Sequence, residues 1–207
     1  MKRVNKNEIK VGKREASGTQ LLDALQEKYS KLCVVRIDFA YKKDENGKVN
    51  VTLDEANADF NRMMNNRRGK PSVFKNQVGY MCLKEHTEKK GVHFHTLFAF
   101  DGNKVQKDVH MGEELGACWN KTTKEKGSYY NCNRNTYKYK GVGMLDHKDT
   151  QKRKILDKHV VSYLYKDDVA QDITNVKSND KDRAFIRSTM PKSKGKVGRP
   201  RTAKKID

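Results

Sequence analysis

The chain has 207 residues, room for one domain of ordinary size with a short arm at either end and too little for two enzymes in series. Lys and Arg total 45 against 26 Asp and Glu, and the resulting charge of +19 points to a polyanionic partner before any motif is read. Leu, Ile, Val and Phe supply only 41 residues, near the level at which high charge argues for disorder, but they cluster into strand-length runs at 32–39 and 92–100 that can build a core.

The four cysteines, Cys33, Cys82, Cys118 and Cys132, form no pair at zinc-knuckle spacing, and no signal-peptide pattern precedes the basic N-terminus. A reduced, cytoplasmic setting is expected. No apolar stretch is long enough to span a bilayer and the basic ends lack an apolar face to lie on lipid, so no membrane partner is expected. Residues 1–15 carry six basic and two acidic side chains, and residues 188–207 carry seven and one. The division expected is a basic arm over 1–16, a folded domain over 17–187 and a basic tail over 188–207, both ends mobile.

In chain order, Ser17-Gly18-Thr19 reads as the cap of a helix over 20–29, with Leu21, Leu22, Leu25 and Tyr29 at helical spacing. Residues 32–41 alternate as a half-polar strand, with Val35, Ile37, Phe39 and Tyr41 on one face and Val34, Arg36, Asp38 and Ala40 on the other. A turn at 44–47 leads to a helix over 53–66, stopped by Arg67-Arg68-Gly69-Lys70-Pro71. Strands at 78–86 and 92–100, joined by Thr87 to Gly91, suit an antiparallel hairpin. A helix over 105–119, a long basic loop over 121–140, a short strand at 142–147 and a helix over 149–165 complete the reading. This order fits an α+β fold with an antiparallel sheet covered by helices on at least one face.

The sharpest chemical feature is His93-Phe94-His95. On a strand, period-two geometry puts both imidazoles on one face, where two nitrogen donors can meet one divalent cation, Mg2+ or Mn2+. The hairpin returns Glu85 across from them as a third ligand and leaves coordination positions open for water and a phosphate oxygen. His86 is the alternative third ligand, because a one-residue register shift exchanges the faces. Asp38 is a candidate partner for a metal-bound imidazole, or one half of an ion pair with Arg36. Tyr163 and Lys166 share a helix face, and a tyrosine beside a cation can attack a phosphodiester to form a phosphotyrosine link. Tyr165 is the alternative nucleophile, about 100° further round from Lys166.

The ordered set Glu85, His93-Phe94-His95 and Tyr163-x-x-Lys166 resembles the HUH endonucleases, the rolling-circle replication initiators. The segments Leu32 to Tyr41, Ala117-Cys118-Trp119, Ser162 to Lys166 and Arg183-x-Phe185-x-Arg187-Ser188 resemble the inovirus-type replication proteins, also met as the YagK/YfjJ C-terminal domain. The resemblance spans roughly residues 20–190. It implies a ferredoxin-like or RRM-like sheet, a divalent metal on the two histidines and a helical tyrosine facing them. It further implies an enzyme that nicks and rejoins single-stranded or hairpin origin DNA of a plasmid, phage or integrated element. Two other readings are a noncatalytic DNA-binding regulator of the same fold and a metal-dependent nuclease acting on RNA. No phosphate-binding Gly-x-x-x-x-Gly-Lys motif occurs, so no nucleotide cofactor is expected, and unwinding and synthesis would fall to a host helicase and polymerase.

Arg36, Lys138, Lys140, Arg187, Arg199 and Arg201 are the expected DNA contacts. Gly198-Arg199-Pro200-Arg201 resembles the core of an AT-hook that enters the minor groove. Tyr129, Tyr130, Tyr137 and Tyr139, interleaved with Lys126, Arg134, Lys138 and Lys140, suit stacking on unpaired bases. Trp119 reads as a core anchor rather than a stacking platform, and His110, His147 and His159 lack ligand spacing.

Overall fold

Three long strands form the frame of the computed structural model, which describes residues 6–66, 72–166, 171, 173–179 and 181–192. They are β1 (Lys31–Tyr41), β2 (Gln77–Thr87) and β3 (Gly91–Asp101). β2 and β3 make the expected hairpin, with Gly91 at φ +64° where the chain turns back. The other edge of β3 pairs with β1. Two short strands share the far edge of β1: β4 (Gly127–Asn131) lies against residues 37–41 and β5 (Gly143–Asp146) against residues 31–34. A short β6 (Phe185–Arg187) closes the outer edge of β2. The sheet is therefore six-stranded and antiparallel throughout, in the order β4-β1-β3-β2-β6 with β5 also on β1, and the α+β class is as expected.

Helices cover both faces. On one, α2 (Leu53–Asn65) and α3 (Asp108–Thr122) pack Phe60, Met63, Leu115 and Trp119 against Ile37, Phe39, Phe94 and Phe98. Trp119 is fully buried and its indole N–H donates to the Ala40 carbonyl, so it is a core anchor. Thr52 and Glu55 cap α2 reciprocally, and residues 67–71 beyond it lie outside the described set. On the other face, α1 (Lys6–Lys28) and α4 (Thr150–Leu156) pack Leu21, Leu22, Leu25 and Leu156 on Leu32, Val34, Leu97 and Ala99. A π-helical turn, Asp157–Val161, carries α4 on into the single turn α5 (Ser162–Tyr165).

Several expectations change. α1 starts at Lys6, so residues 6–16 are helical rather than an arm, and Ser17-Gly18-Thr19 lies inside the helix. The glycine is there for packing: a Cβ on Gly18 would sit 2.2 Å from the Tyr165 hydroxyl. The basic stretch 121–140 is not all loop but contains β4, which can lie close under α3 because the facing residues are Gly112 and Gly116. Tyr129 packs there and donates to Glu113, so it is no stacking surface. Between β4 and β5, buried Asn133 takes the place of a strand: it accepts from Arg36 N–H and donates to the Val34 carbonyl. Of the basic tail, residues 193–207, which include Arg199 and Arg201, lie outside the described set.

The two glycines of α1 make a paired test. A Cβ on Gly12 would meet nothing within 4 Å, so Gly12→Ala should gain about 0.5–1 kcal/mol of stability from helix propensity alone. Gly18→Ala should instead lose about 1–3 kcal/mol by overpacking against Tyr165. Urea denaturation distinguishes the two, and a stabilising Gly18→Ala would contradict the α1–α5 contact.

Candidate active site

On the face covered by α1 and α4, each frame strand changes from apolar to polar along its length. β1 runs from Leu32 and Val34 to Arg36 and Asp38, and β2 from Met81 and Leu83 to Glu85. β3, taken backwards, runs from Ala99 and Leu97 to His95 and His93. The pairing aligns these changes, setting Asp38 opposite His95 and Glu85 opposite His93. The half-polar face expected of β1 is thus the floor of a site and not a solvent face. His86 pairs with Val92, whose side chain belongs to the opposite core, so the strand alternation directs His86 away from the histidine pair and leaves Glu85 as the carboxylate that joins it.

Glu85, His93 and His95 are 5–8% exposed, and one ligand atom from each lies within 4.8 Å of the others. Glu85 Oε2 is 2.9 Å from His95 Nε2 and 3.3 Å from His93 Nε2. The second nitrogen of each ring is held from behind: His93 Nδ1 donates to the Gly91 carbonyl at 3.1 Å, and His95 Nδ1 donates to Asp38 Oδ1 at 2.9 Å. This fixes both Nε2 atoms toward the carboxylate, the arrangement of imidazole ligands backed by acceptors. Arg36 Nη2 is 3.1 Å from His95 Nδ1, but a nitrogen whose hydrogen is committed to Asp38 has no lone pair to offer. The guanidinium bond that counts is the one to Asp38 Oδ1 at 2.9 Å. Two imidazoles and a carboxylate make a donor set that could hold a metal ion.

Burial works against the Glu85 carboxylate, but the two imidazoles that face it, with His95 donating from Nε2, outweigh it and hold the group down at about 2. Burial likewise disfavours charge on His95, yet Asp38 and Glu85 overcome it and raise its pKa above the ordinary 6.5. Without metal, the site therefore keeps a proton on His95 between two carboxylates. The stability that this proton supplies is complete below about pH 6.5 and is lost as pH rises through the raised value. That from Glu85 is present above its usual value of 4.5 and is lost as pH falls toward 2.

The last helix brings Tyr163 to this cluster. Within the π-turn, Ser162 N–H bonds to the carbonyl of Asp157, five residues back, so every side chain beyond it is displaced by about 100° from an unbroken α-helix. The Tyr163 hydroxyl lies 3.4 Å from His95 Nε2 and its ring meets the imidazole edge-on at 4.8 Å. Lys166 leaves the helix at ψ 145° and places Nζ 4.7 Å from the centre of the Tyr163 ring, while the Arg36 guanidinium sits 5.2 Å away. Arg14 of α1 donates to the Lys166 carbonyl, capping the helix end; its charge alone did not single it out in the sequence. Tyr165 points the other way. It is 6% exposed among Met81, Phe185 and Gly18, and burial pushes its phenol up.

The expected DNA contacts divide. Arg36 is 8% exposed and pairs with Asp38 beneath Tyr163, so its charge serves the site and not an outer surface. Arg187 is half-buried, donating to Ser17 Oγ and the Ser188 carbonyl, and it ties β6 to α1. Lys138 and Lys140 are exposed on the segment that leads from Arg134 to β5.

Because a cation on His95 Nε2 must displace the shared proton, Mn2+ affinity should rise about tenfold per pH unit until the raised His95 pKa is passed, then level off. Asp38→Asn should weaken Mn2+ binding by about 10- to 100-fold without unfolding the chain. Calorimetric titration from pH 5.5 to 8.5 measures both, and a pH-independent affinity would contradict the shared proton.

No curated protein and no solved structure matches the chain. One family model does, that of the YagK/YfjJ C-terminal domain, over residues 4–188. The matched span takes in every element from α1 to β6 together with Glu85, His93, His95, Tyr163 and Lys166. The chain therefore belongs to the YagK/YfjJ C-terminal domain family.

Proposed function

We propose that the protein is a metal-dependent single-strand DNA endonuclease and strand transferase of the HUH type, initiating rolling-circle replication of a plasmid, phage or integrated element. The observation that carries this reading is the Tyr163 hydroxyl poised 3.4 Å from a nitrogen of the Glu85-His93-His95 cluster. A hydrolytic metal site needs room for water but no phenol at that position. A transesterifying site needs a nucleophile within reach of the phosphate that the metal would hold.

A divalent cation bound by Glu85, His93 and His95 would neutralise charge on the attacked phosphate. Tyr163 Oη attacks the phosphorus and gives its proton to solvent, the bond to the 3′ oxygen breaks and that oxygen takes a proton from solvent to leave as a hydroxyl, and the 5′ phosphate remains on the tyrosine. Lys166 and Arg36, flanking the ring, stabilise the negative charge that develops on the phenolic oxygen. Attack of a 3′ hydroxyl on the same phosphotyrosine reverses the step and joins strands without an energy source. The net charge of +19 supports a nucleic-acid substrate, and because the nucleophile comes from the protein the strand needs no 2′ hydroxyl, so DNA can serve.

Incubated with Mn2+ and a pool of randomised single-stranded oligonucleotides, the protein should yield a covalent adduct that survives denaturant and is lost with nuclease treatment. Tyr163→Phe should abolish the adduct. Tyr165→Phe should keep it while costing about 0.5–1.5 kcal/mol of stability. Cleavage that leaves both ends free, or an adduct that persists in Tyr163→Phe, would overturn the proposal.

A further inference from the structure

Beside Tyr163 a pocket of about 410 Å³ opens between the π-turn and the segment 137–142. Its floor is apolar, made by Cys132, Val142 and Val160. Its rim carries four rings: Tyr163, Tyr137, and the pair Tyr139 and His159, which stack at 4.8 Å and 13°. Its charged members are Arg36 and Lys138, and among the described residues no acidic side chain lines it. Lys138 Nζ lies 5.5 Å from the centre of the Tyr139 ring.

Tyr137 is 41% exposed and Tyr139 48%, an unusual display of aromatic surface for a chain with few apolar residues. The hydroxyl of Tyr137 is also oriented. Asn135 Oδ1 accepts from Tyr130 and Asn135 Nδ2 donates to Tyr137, which leaves the Tyr137 hydrogen available to an outside acceptor. His159, which the spacing of the sequence left without a role, reaches this rim because it lies in the π-turn.

Flat aromatic walls, an apolar floor, one hydroxyl donor and cations without a carboxylate together describe a receptor for a planar heterocycle that carries an anion. Tyr163 is a wall of this pocket and its hydroxyl lies at the metal-ligating cluster, so a heterocycle seated here has its attached phosphate within reach of that cluster. We infer that the pocket takes one unpaired nucleobase of the strand, the base whose nucleotide adjoins the attacked phosphate, stacked against the Tyr139–His159 pair. The assignment rests on the endonuclease reading for the identity of the strand, but its test does not require cleavage.

Binding is measured by fluorescence anisotropy in EDTA, with no metal and so no reaction. The probes are a labelled 20-residue thymidine strand and a 20-residue abasic strand with the same phosphates and no bases. The intact protein should prefer the thymidine strand. Tyr139→Ala and His159→Ala, both at exposed positions, should each weaken thymidine-strand binding by about tenfold. They should leave abasic-strand binding and the salt dependence unchanged, because no phosphate contact is removed. Equal loss on both strands, or no loss on either, would overturn the assignment.

Free dTMP provides the control for source. A strand occupant requires the 20-mer to bind at least about a hundredfold more tightly than dTMP, and equal affinity would move the pocket to free nucleotides and overturn the inference. A base preference that persists when no covalent adduct ever forms would uphold the pocket and defeat the endonuclease reading. An adduct that forms equally well in both variants, with no base preference, would do the reverse.

Discussion

The position of β3 between β1 and β2 is the constraint on which the rest depends. Side chains alternate across a sheet with period two, so the pairing that sets Asp38 against His95 and Glu85 against His93 puts all four on one face. The same pairing delivers Phe94 and Val92 to the opposite core, where Phe94 stacks on Phe60 at 5.0 Å. A slip of one residue would bury two imidazoles among Phe60 and Trp119 and expose Phe94. The hydrophobic core on the α2/α3 face therefore holds the polar site on the other face in register, and each additional aromatic there makes a slip more costly.

Burying Glu85, His93 and His95 is expensive unless each polar atom has a partner. The sheet supplies those partners itself: the Gly91 carbonyl, Asp38 and, one step further out, Arg36. Among the described residues, Tyr163 and Lys166 come to the site from outside the sheet. They arrive on a helix that is locked to the frame by Leu164 and Tyr165 on one side and by Arg14 at its end. The π-turn divides these tasks, since it lets α4 pack Leu156 on the sheet while the residues beyond it are turned so that Tyr163 meets His95 and Tyr165 enters the core.

Much of this was legible in the sequence because it is encoded in short periods. The alternation of 32–41 and 92–100 located β1 and β3, the Thr87–Gly91 connection located the hairpin, and together they brought Glu85 to His93 and His95. What was not legible has no local period. β4 reads Gly-Ser-Tyr-Tyr-Asn, polar enough to pass for loop, and is a strand because Gly112 and Gly116 of α3 make space for it. β6 is three residues long and exists through its pairing with β2. Ser17-Gly18-Thr19 carried the signature of a helix start, but Gly18 is small because Tyr165, distant in sequence, lies against it. The π-turn leaves no mark in the composition of Asp157–Val161, and so the role of His159 and the enclosure of Tyr165 became visible only in three dimensions.

The proposed reaction puts the strand on one side chain, and which side chain that is can be read directly. After reaction with Mn2+ and a single-stranded oligonucleotide, tryptic digestion isolates residues 159–166, a peptide holding both Tyr163 and Tyr165. Fragmentation by mass spectrometry should place the nucleotide mass on Tyr163, the phenol beside His95, and none on Tyr165. A modified Tyr165, or an unmodified peptide from protein that has cleaved the strand, would contradict the account.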